Sequence, residues 1–250
     1  MRIISIYNSK GGVGKTTTAH SLAFGLAAEG RRTLLVDLDH QANLSGWCKQ
    51  EPNVPTLDEV TRGQPLSSLV QEVSDGVDIL PASDRLLSAE SAIGSEMVPQ
   101  RWLAKHLKTL RSDRWDYVVI DCPPSMGSLS IAALGASQWV LVPVELNALS
   151  LAGVGQAAER VEQIADINPE VRLLGILPVR QDLRKVVARE VLDQLKEAFE
   201  DDEIFSGIRT GVRLEECPSF GMSIFEYAPG TPVAEDYQRF VKEVIARVEA

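Results

Sequence analysis

Ser9-Lys10-Gly11-Gly12-Val13-Gly14-Lys15-Thr16-Thr17 puts three glycines, two lysines and two threonines into one short run. Glycines let successive backbone N–H groups turn toward one point, and a following helix N-terminus adds partial positive charge there. Such a loop binds phosphate. Lys15 would contact the β- and γ-phosphates, and the Thr16 hydroxyl would ligate Mg²⁺. The spacing meets G-x-x-x-x-G-K-[ST], with Ser9 in place of the first glycine. A plain strand-to-helix turn would explain the glycines but not the Lys15-Thr16 pair. Lys10 is surplus to this chemistry. A second ammonium so near Lys15 is costly unless strong negative charge compensates both.

Two further runs end in carboxylates. Val36-Asp37-Leu38-Asp39-His40-Gln41 closes one apolar stretch with Asp37 and Asp39, and Val118-Val119-Ile120 closes another with Asp121. In open α/β sheets, ligands bind at the carboxyl ends of the strands. Asp121 therefore reads as a Mg²⁺-holding carboxylate, direct or through water. The competing readings are a turn or cap carboxylate for Asp39 and the opening of the Pro123-Pro124 turn for Asp121.

These groups need a frame. Short apolar runs at 3–7, 33–38, 77–80, 117–120, 139–142 and 173–177 read as strands, several halted by proline. Between them, helical patterns cover about Thr16–Glu29, Gln100–Arg111, Ala152–Ala165, Lys185–Phe199 and Val233–Val248, with a short helix near Leu57 in the polar stretch Gly46–Pro65. Gly30 stands where a C-cap belongs. Continuously apolar strands, each followed by a helix, imply a mostly parallel sheet covered on both faces. The expectation is an α/β chain with a single doubly wound domain over residues 1–250.

Composition removes other classes. The 250 residues are 44% hydrophobic and 24% charged, which argues against wholesale disorder. The net charge of −10 means that any nucleic-acid contact must use a local basic patch. Cys48, Cys122 and Cys217 are odd in number and widely spaced, so a reducing cytosol fits better than a disulfide framework. No apolar run approaches the roughly 18 residues that span a bilayer, and the opening strand leaves no room for a signal peptide.

Lys10-Gly11-Gly12-Val13-Gly14-Lys15-Thr16-Thr17 resembles the deviant Walker A box of the ParA/MinD ATPases, most closely the ParA-type (Soj-like) partition ATPases. The likeness runs along the whole chain. Asp121-Cys122-Pro123-Pro124-Ser125 is similar to D-x-P-P-[ST], Leu149–Gly153 to S-L-x-G, and Arg213–Gly221 to V-R-L-x-E-A-P-S-x-G. The Val36–Gln41 segment resembles V-D-x-D-P-Q, with His40 in the proline position. The resemblance implies a P-loop fold, ATP and Mg²⁺ as cofactors, and ATP hydrolysis. The implied ATP contacts are Lys10, Gly11, Gly12, Val13, Gly14, Lys15, Thr16 and Thr17, and the implied metal ligands Thr16 and Asp121. Lys10, Lys15 and Asp39 would be catalytic. Lys10 would reach across a nucleotide-sandwich homodimer to the partner's ATP, and Asp39 would orient the attacking water.

The resemblance also implies non-specific DNA binding through Arg184, Lys185, Arg209 and Arg213, a ParB-like activating partner, and a cytoplasmic, nucleoid-associated location. Against the DNA reading, Arg180 to Arg213 holds seven basic and eight acidic residues, so these arginines could be ordinary solvated charges. A MinD-like membrane switch would need a basic amphipathic C-terminal helix, and Glu235, Asp236, Glu243 and Glu249 oppose anionic lipid. The cysteines lack the sequence context of the related iron–sulfur proteins. A non-hydrolysing scaffold conflicts with the retention of Lys10, Asp39 and Asp121. The adenine contacts are not assigned.

Overall fold

Alternate side chains of the first strand point to opposite faces, and both faces are apolar. In β1 (Arg2–Ile6), Ile3 enters one core layer while Ile4 and Ile6 enter the other. A strand buried on both sides needs helices above and below it. The computed structural model describes residues 1–50, 54–111, 113–147, 150–200 and 203–250.

The loop after β1 leads into α1 (Lys15–Ala28), then β2 (Thr33–Asp37) and α2 (Asn43–Trp47). Next come 3₁₀ turns at Leu57–Arg62 and Leu66–Ser68, β3 (Gln71–Ser74), β4 (Val77–Leu80) and α3 (Leu86–Gly94). A 3₁₀ turn at Pro99–Arg101 precedes α4 (Trp102–Leu107), β5 (Tyr117–Asp121), α5 (Ser128–Ala136) and β6 (Trp139–Glu145). The chain ends through α6 (Ser150–Ala165), β7 (Arg172–Val179), α7 (Val186–Ala198), α8 (Val212–Phe220), α9 (Ile224–Tyr227) and α10 (Pro232–Val248).

The seven strands run in the order β3-β4-β2-β5-β1-β6-β7, parallel except for β3 against β4. This is the expected doubly wound, mostly parallel architecture. Helices α3 to α7 cover one face, and α1, α2 and α8 to α10 the other. The last helix buries Val233, Tyr237, Phe240, Val241 and Val244 in that second layer, so the apolar face that a membrane-bound switch would need is already covered. Among the described residues, no helix is long and apolar enough to cross a membrane. All three cysteines are buried free thiols.

Several elements depart from the sequence-based expectation. The helix expected over Gln100–Arg111 is a 3₁₀ turn plus six α-helical residues, although Leu103, Leu107 and Leu110 are buried on one stripe as expected. The helix near Leu57 is a 3₁₀ turn. Residues 51–53 of the polar stretch lie outside the described residues. The pattern gave no sign of β3, α2, α3, α5, α8 or α9.

Helix α5 shows how tightly the layer is built. A Cβ added at Gly135 would stand 2.0 Å from the Gln100 carbonyl oxygen. Ala in a helix interior is favoured over Gly by up to about 1 kcal/mol. Overpacking costs about 1–3 kcal/mol, and here backbone meets backbone, so no side chain can yield. Gly135→Ala is expected to lower unfolding stability by about 1–2 kcal/mol in urea titrations. An unchanged or raised midpoint would show that α5 and the Pro99–Arg101 turn separate without cost.

Candidate functional site

The loop after β1 holds Gly12 and Gly14 at φ +76° and +78°, a left-handed conformation that L side chains rarely adopt. Gly14 is the N-cap of α1 and carries no side-chain cap, and no acidic residue lies in the first turn. The first N–H groups of α1 are therefore left to an anion. Asn8 anchors the loop, its amide donating to Pro143 O at 2.9 Å and its Oδ1 accepting from the Lys10 N–H at 3.0 Å.

Lys15 is 7% exposed, and its ammonium donates to Lys10 O at 3.0 Å. Burial pulls its pKa below the usual lysine value, while Asp121, Cys122 and Asp39 push the other way. The Lys10 ammonium lies half-buried at the rim and donates to Asn147 Oδ1 at 3.3 Å. Within a single chain, Lys10 thus rests on a neutral amide of its own subunit.

Strand register assembles the carboxylates. Asp121 pairs with Ile6 on one side and with Asp37 on the other. Asp37 is fully buried and accepts from the Asp39 N–H at 3.1 Å, the Ser45 N–H at 2.9 Å and the Ser45 hydroxyl at 2.7 Å. Burial outweighs these bonds, and the Asp37 carboxyl is pushed up to about 6. Asp39 Oδ1 accepts from the Gln41 N–H at 3.0 Å, with His40 Nδ1 at 3.8 Å.

Asp121 is 1% exposed, and neither carboxylate oxygen receives a hydrogen bond of normal geometry. Burial, then the charge of Asp37, raise its pKa well above the usual carboxylate range, although the Thr16 hydroxyl and Lys15 ammonium pull it back. A buried carboxylate without a partner calls for a cation. Hard oxygen donors beside a phosphate loop suit Mg²⁺, which takes one or two protein oxygens and completes its shell with phosphate and water. Asp121 and Thr16 fit that role.

A cavity of about 240 Å³ opens beside the loop, sharing Gly14 and Thr17 with it and walled by Arg180, Arg209, Leu214 and Tyr237. Arg180 has φ 49° and donates to Gly12 O at 3.2 Å while pairing with Glu145. The sequence reading left the adenine contacts unassigned and missed Arg180, because the walls of the cavity come from β7, α10 and the segments between. Arg209, expected on a DNA surface, stands on this wall with Nε and Nη2, one edge of its guanidinium, donating to the two Asp236 oxygens at 2.7 Å each.

The other basic candidates lie outside the loop. Arg184 is 91% exposed and paired with Asp182 at 2.8 Å, Lys185 is the exposed N-cap of α7, and Arg213 pairs with Glu216 at 3.0 Å. A bridge between Gln181 and Arg209 sets the two segments carrying them side by side. Exposed pairs of this kind contribute only about 0–1 kcal/mol, so a phosphate can replace the carboxylate at little cost. Of the Leu149–Gly153 motif, Leu149 lies outside the described residues. Ser150 opens α6, its hydroxyl accepting from the Asn147 N–H at 3.0 Å.

Residues 1–173 match the family described as "AAA domain". The chain is 40% identical to the chromosome-partitioning ATPase Soj of Thermus thermophilus, over 100% of this chain and 97% of that protein. It is 35% identical to the chromosome partitioning protein ParA of Myxococcus xanthus, over 98% of this chain and 88% of the relative. The crystal structure of cobyrinic acid a,c-diamide synthase from Mycobacterium smegmatis with bound ADP and magnesium superposes with a TM-score of 0.86 at 31% identity. That match covers 100% of this chain and 96% of the other.

The buried carboxylates fix a pH dependence. Asp37 binds its proton more tightly folded, at about 6, than its ordinary 3.8. Between those values the folded chain holds more protons, so stability falls as pH rises through that window, and Asp121 acts in the same direction. Asp37 is expected to remove about 2–3 kcal/mol of stability between pH 4 and 6.5 in the nucleotide-free chain, against the opposite slope of Glu249 and Asp182, whose arginine partners hold their carboxyls low. Asp121→Asn should flatten this slope and abolish the extra stabilisation given by nucleotide with Mg²⁺. Thermal unfolding across pH, with and without Mg²⁺, checks both. A variant that keeps the Mg²⁺-dependent gain would remove Asp121 from the metal site.

Proposed function

The chain belongs to the ParA/Soj family of partition ATPases, and from that premise we propose that it is an ATP-driven positioning switch. It is an ATPase of the chromosome and plasmid partition type. In the proposed cycle, ATP closes a sandwich homodimer, the dimer holds DNA without reading its sequence, a ParB-like partner stimulates hydrolysis, and the ADP form lets go. The setting would be the cytoplasm, on the nucleoid, with no membrane step.

One observation carries this reading. An open anion-binding loop, Lys15 and the unpartnered Asp121 carboxylate converge at one sheet edge, while a second lysine, Lys10, waits at the rim on a neutral amide. The backbone N–H groups from Gly11 to Thr17 would bind the phosphates, with the Lys15 ammonium on the β- and γ-groups. Thr16 and Asp121 would hold Mg²⁺, which supplies Lewis-acid charge to the phosphate oxygens when bound. Asp39 would orient the attacking water. The cavity sharing Gly14 and Thr17 would receive the nucleobase.

For DNA, the support is the neighbouring placement of Arg184, Lys185 and Arg213 on exposed segments. A dimer doubles that patch, and phosphate contacts act together through counterion release. This lets a chain of net charge −10 bind DNA in one nucleotide state and release it in the other.

Lys10→Ala is expected to leave the chain folded and able to bind ATP, while weakening the ATP-induced dimer. Light scattering with ADP, ATP and a non-hydrolysable analogue reads this directly. A dimer of undiminished affinity would confine Lys10 to its own subunit and end the sandwich reading.

Arg184→Glu and Arg213→Glu should each weaken DNA binding without affecting dimerisation. The slope of log affinity against log salt should shrink by about one for each DNA phosphate that is no longer neutralised. DNA affinity that stays at the wild-type value across the salt series would locate the DNA surface elsewhere.

A further inference from the structure

Asp39 lies on an arm that leaves β2 and ends in α2, and that arm is fastened at both ends. At its root, Asp37 accepts the Asp39 N–H and both donors of Ser45, and the Ser45 hydroxyl in turn accepts the Ala82 N–H at 2.9 Å. At its tip stands Trp47, only 4% exposed. The Trp47 ring stacks on the His20 imidazole at 4.0 Å and 11°, and His20 stacks on Phe24 at 4.3 Å and 20°. His20 and Phe24 are one turn apart on α1, the helix that opens with Lys15.

Trp47 has a second hold. Its indole N–H donates to Met222 O at 3.0 Å, in the turn that joins α8 to α9. Lys49 lies on the same turn. A Cβ at Gly221 would come within 2.1 Å of the Lys49 side chain, so the arm sits flush against the C-terminal end of α8. Helix α8 carries Arg213 and lends Leu214, Glu215 and Pro218 to the cavity beside the loop.

The stack is costly enough to need a reason. His20 Nδ1 is buried without a hydrogen-bond partner, and burial pushes the imidazole down to about 3. The ring is therefore neutral at physiological pH and serves as an aromatic plate. An apolar residue would avoid the unsatisfied nitrogen, and a buried polar atom left unpaired is ordinarily destabilising.

We propose that Trp47 is a positioning residue for Asp39: held by the His20 stack on α1 and by the Met222 carbonyl beyond α8, it fixes the arm whose carboxylate orients the attacking water. The inference rests on the reading of Asp39 given above. Phosphate loop and water-orienting carboxylate are then held in register by a ring contact between α1 and α2, and the second hold ties that register to the end of α8.

The test uses the full chain and its variants, with phosphate release read as kcat and KM for ATP, and thermal midpoints measured alongside. Trp47→Phe keeps a ring for the stack but loses the donor to Met222 O. It should lower kcat about three- to tenfold with KM within twofold of wild type, in line with the removal of one hydrogen bond. His20→Phe keeps three stacked rings and should hydrolyse at the wild-type rate, whereas His20→Ala should lower kcat as Trp47→Phe does. Adding Trp47→Phe to Asp39→Ala should cost nothing further, because both act through one group. Wild-type kcat in Trp47→Phe and His20→Ala, whatever their midpoints, would make the stack purely structural and overturn the inference. A Trp47→Phe effect that multiplies with Asp39→Ala would also overturn it. Wild-type turnover in Asp39→Ala alone would instead remove the reading of Asp39, and this inference with it.

Discussion

Asp121 is a buried carboxyl group whose oxygens the protein does not satisfy by itself. Everything at the catalytic rim can be read as an arrangement around that deficit. The register of β5 between β1 and β2 sets Asp121 beside Asp37 and the root of the phosphate loop. Lys15 is close enough to pull on its titration, yet gives its hydrogen bond to Lys10 O. Asp37 is satisfied by the Asp39 arm and Ser45, which leaves Asp121 as the group still open to a cation. In the proposed function, a site that is electrostatically incomplete when empty would bind a metal–phosphate pair with the desolvation cost already met during folding.

Much of this was legible in the sequence because it is local. The loop reads from spacing alone, and the strands read as apolar runs halted by proline or aspartate. Asp37, Asp39 and Asp121 were legible as strand-end groups. What escaped has physical reasons. Helix α5, Ser128–Ala136, is buried nearly all round, so it carries no amphipathic stripe to detect. Strand β3 reads Gln-Glu-Val-Ser, an edge strand with no alternating apolar face. The cavity joins Gly14, Arg180, Arg209 and Tyr237, and the ring stack joins His20 to Trp47. Neither has a periodicity, because each is made by the fold rather than by neighbours in the chain.

The arginines show the same limit from the other side. Their residue types were readable, but not their partners. Arg184, Arg209 and Arg213 each hold a carboxylate. For Arg184 and Arg213 the acids are partly exposed, at 21% and 37%, and the pairs are exchangeable. For Arg209 the Asp236 carboxylate is 1% exposed and is shared with Arg239, which makes that arginine part of a fixed wall. One residue type in one short segment therefore serves two ends, and only burial of the acid tells them apart.

The buried cysteines have a practical consequence. Burial pushes the Cys122 thiol up to about 12, the Cys217 thiol up to about 11 and the Cys48 thiol likewise well above its usual value, so none of the three offers thiolate to reagents while the fold is closed. Cys122 directly follows Asp121, at the heart of the rim. Its reaction with a disulfide reagent is then a clock for how often that strand end opens, as hydrogen exchange is for amides. The same silence makes a single cysteine introduced on the surface the only fast-labelling position, so a fluorophore could be placed there without first removing the native thiols.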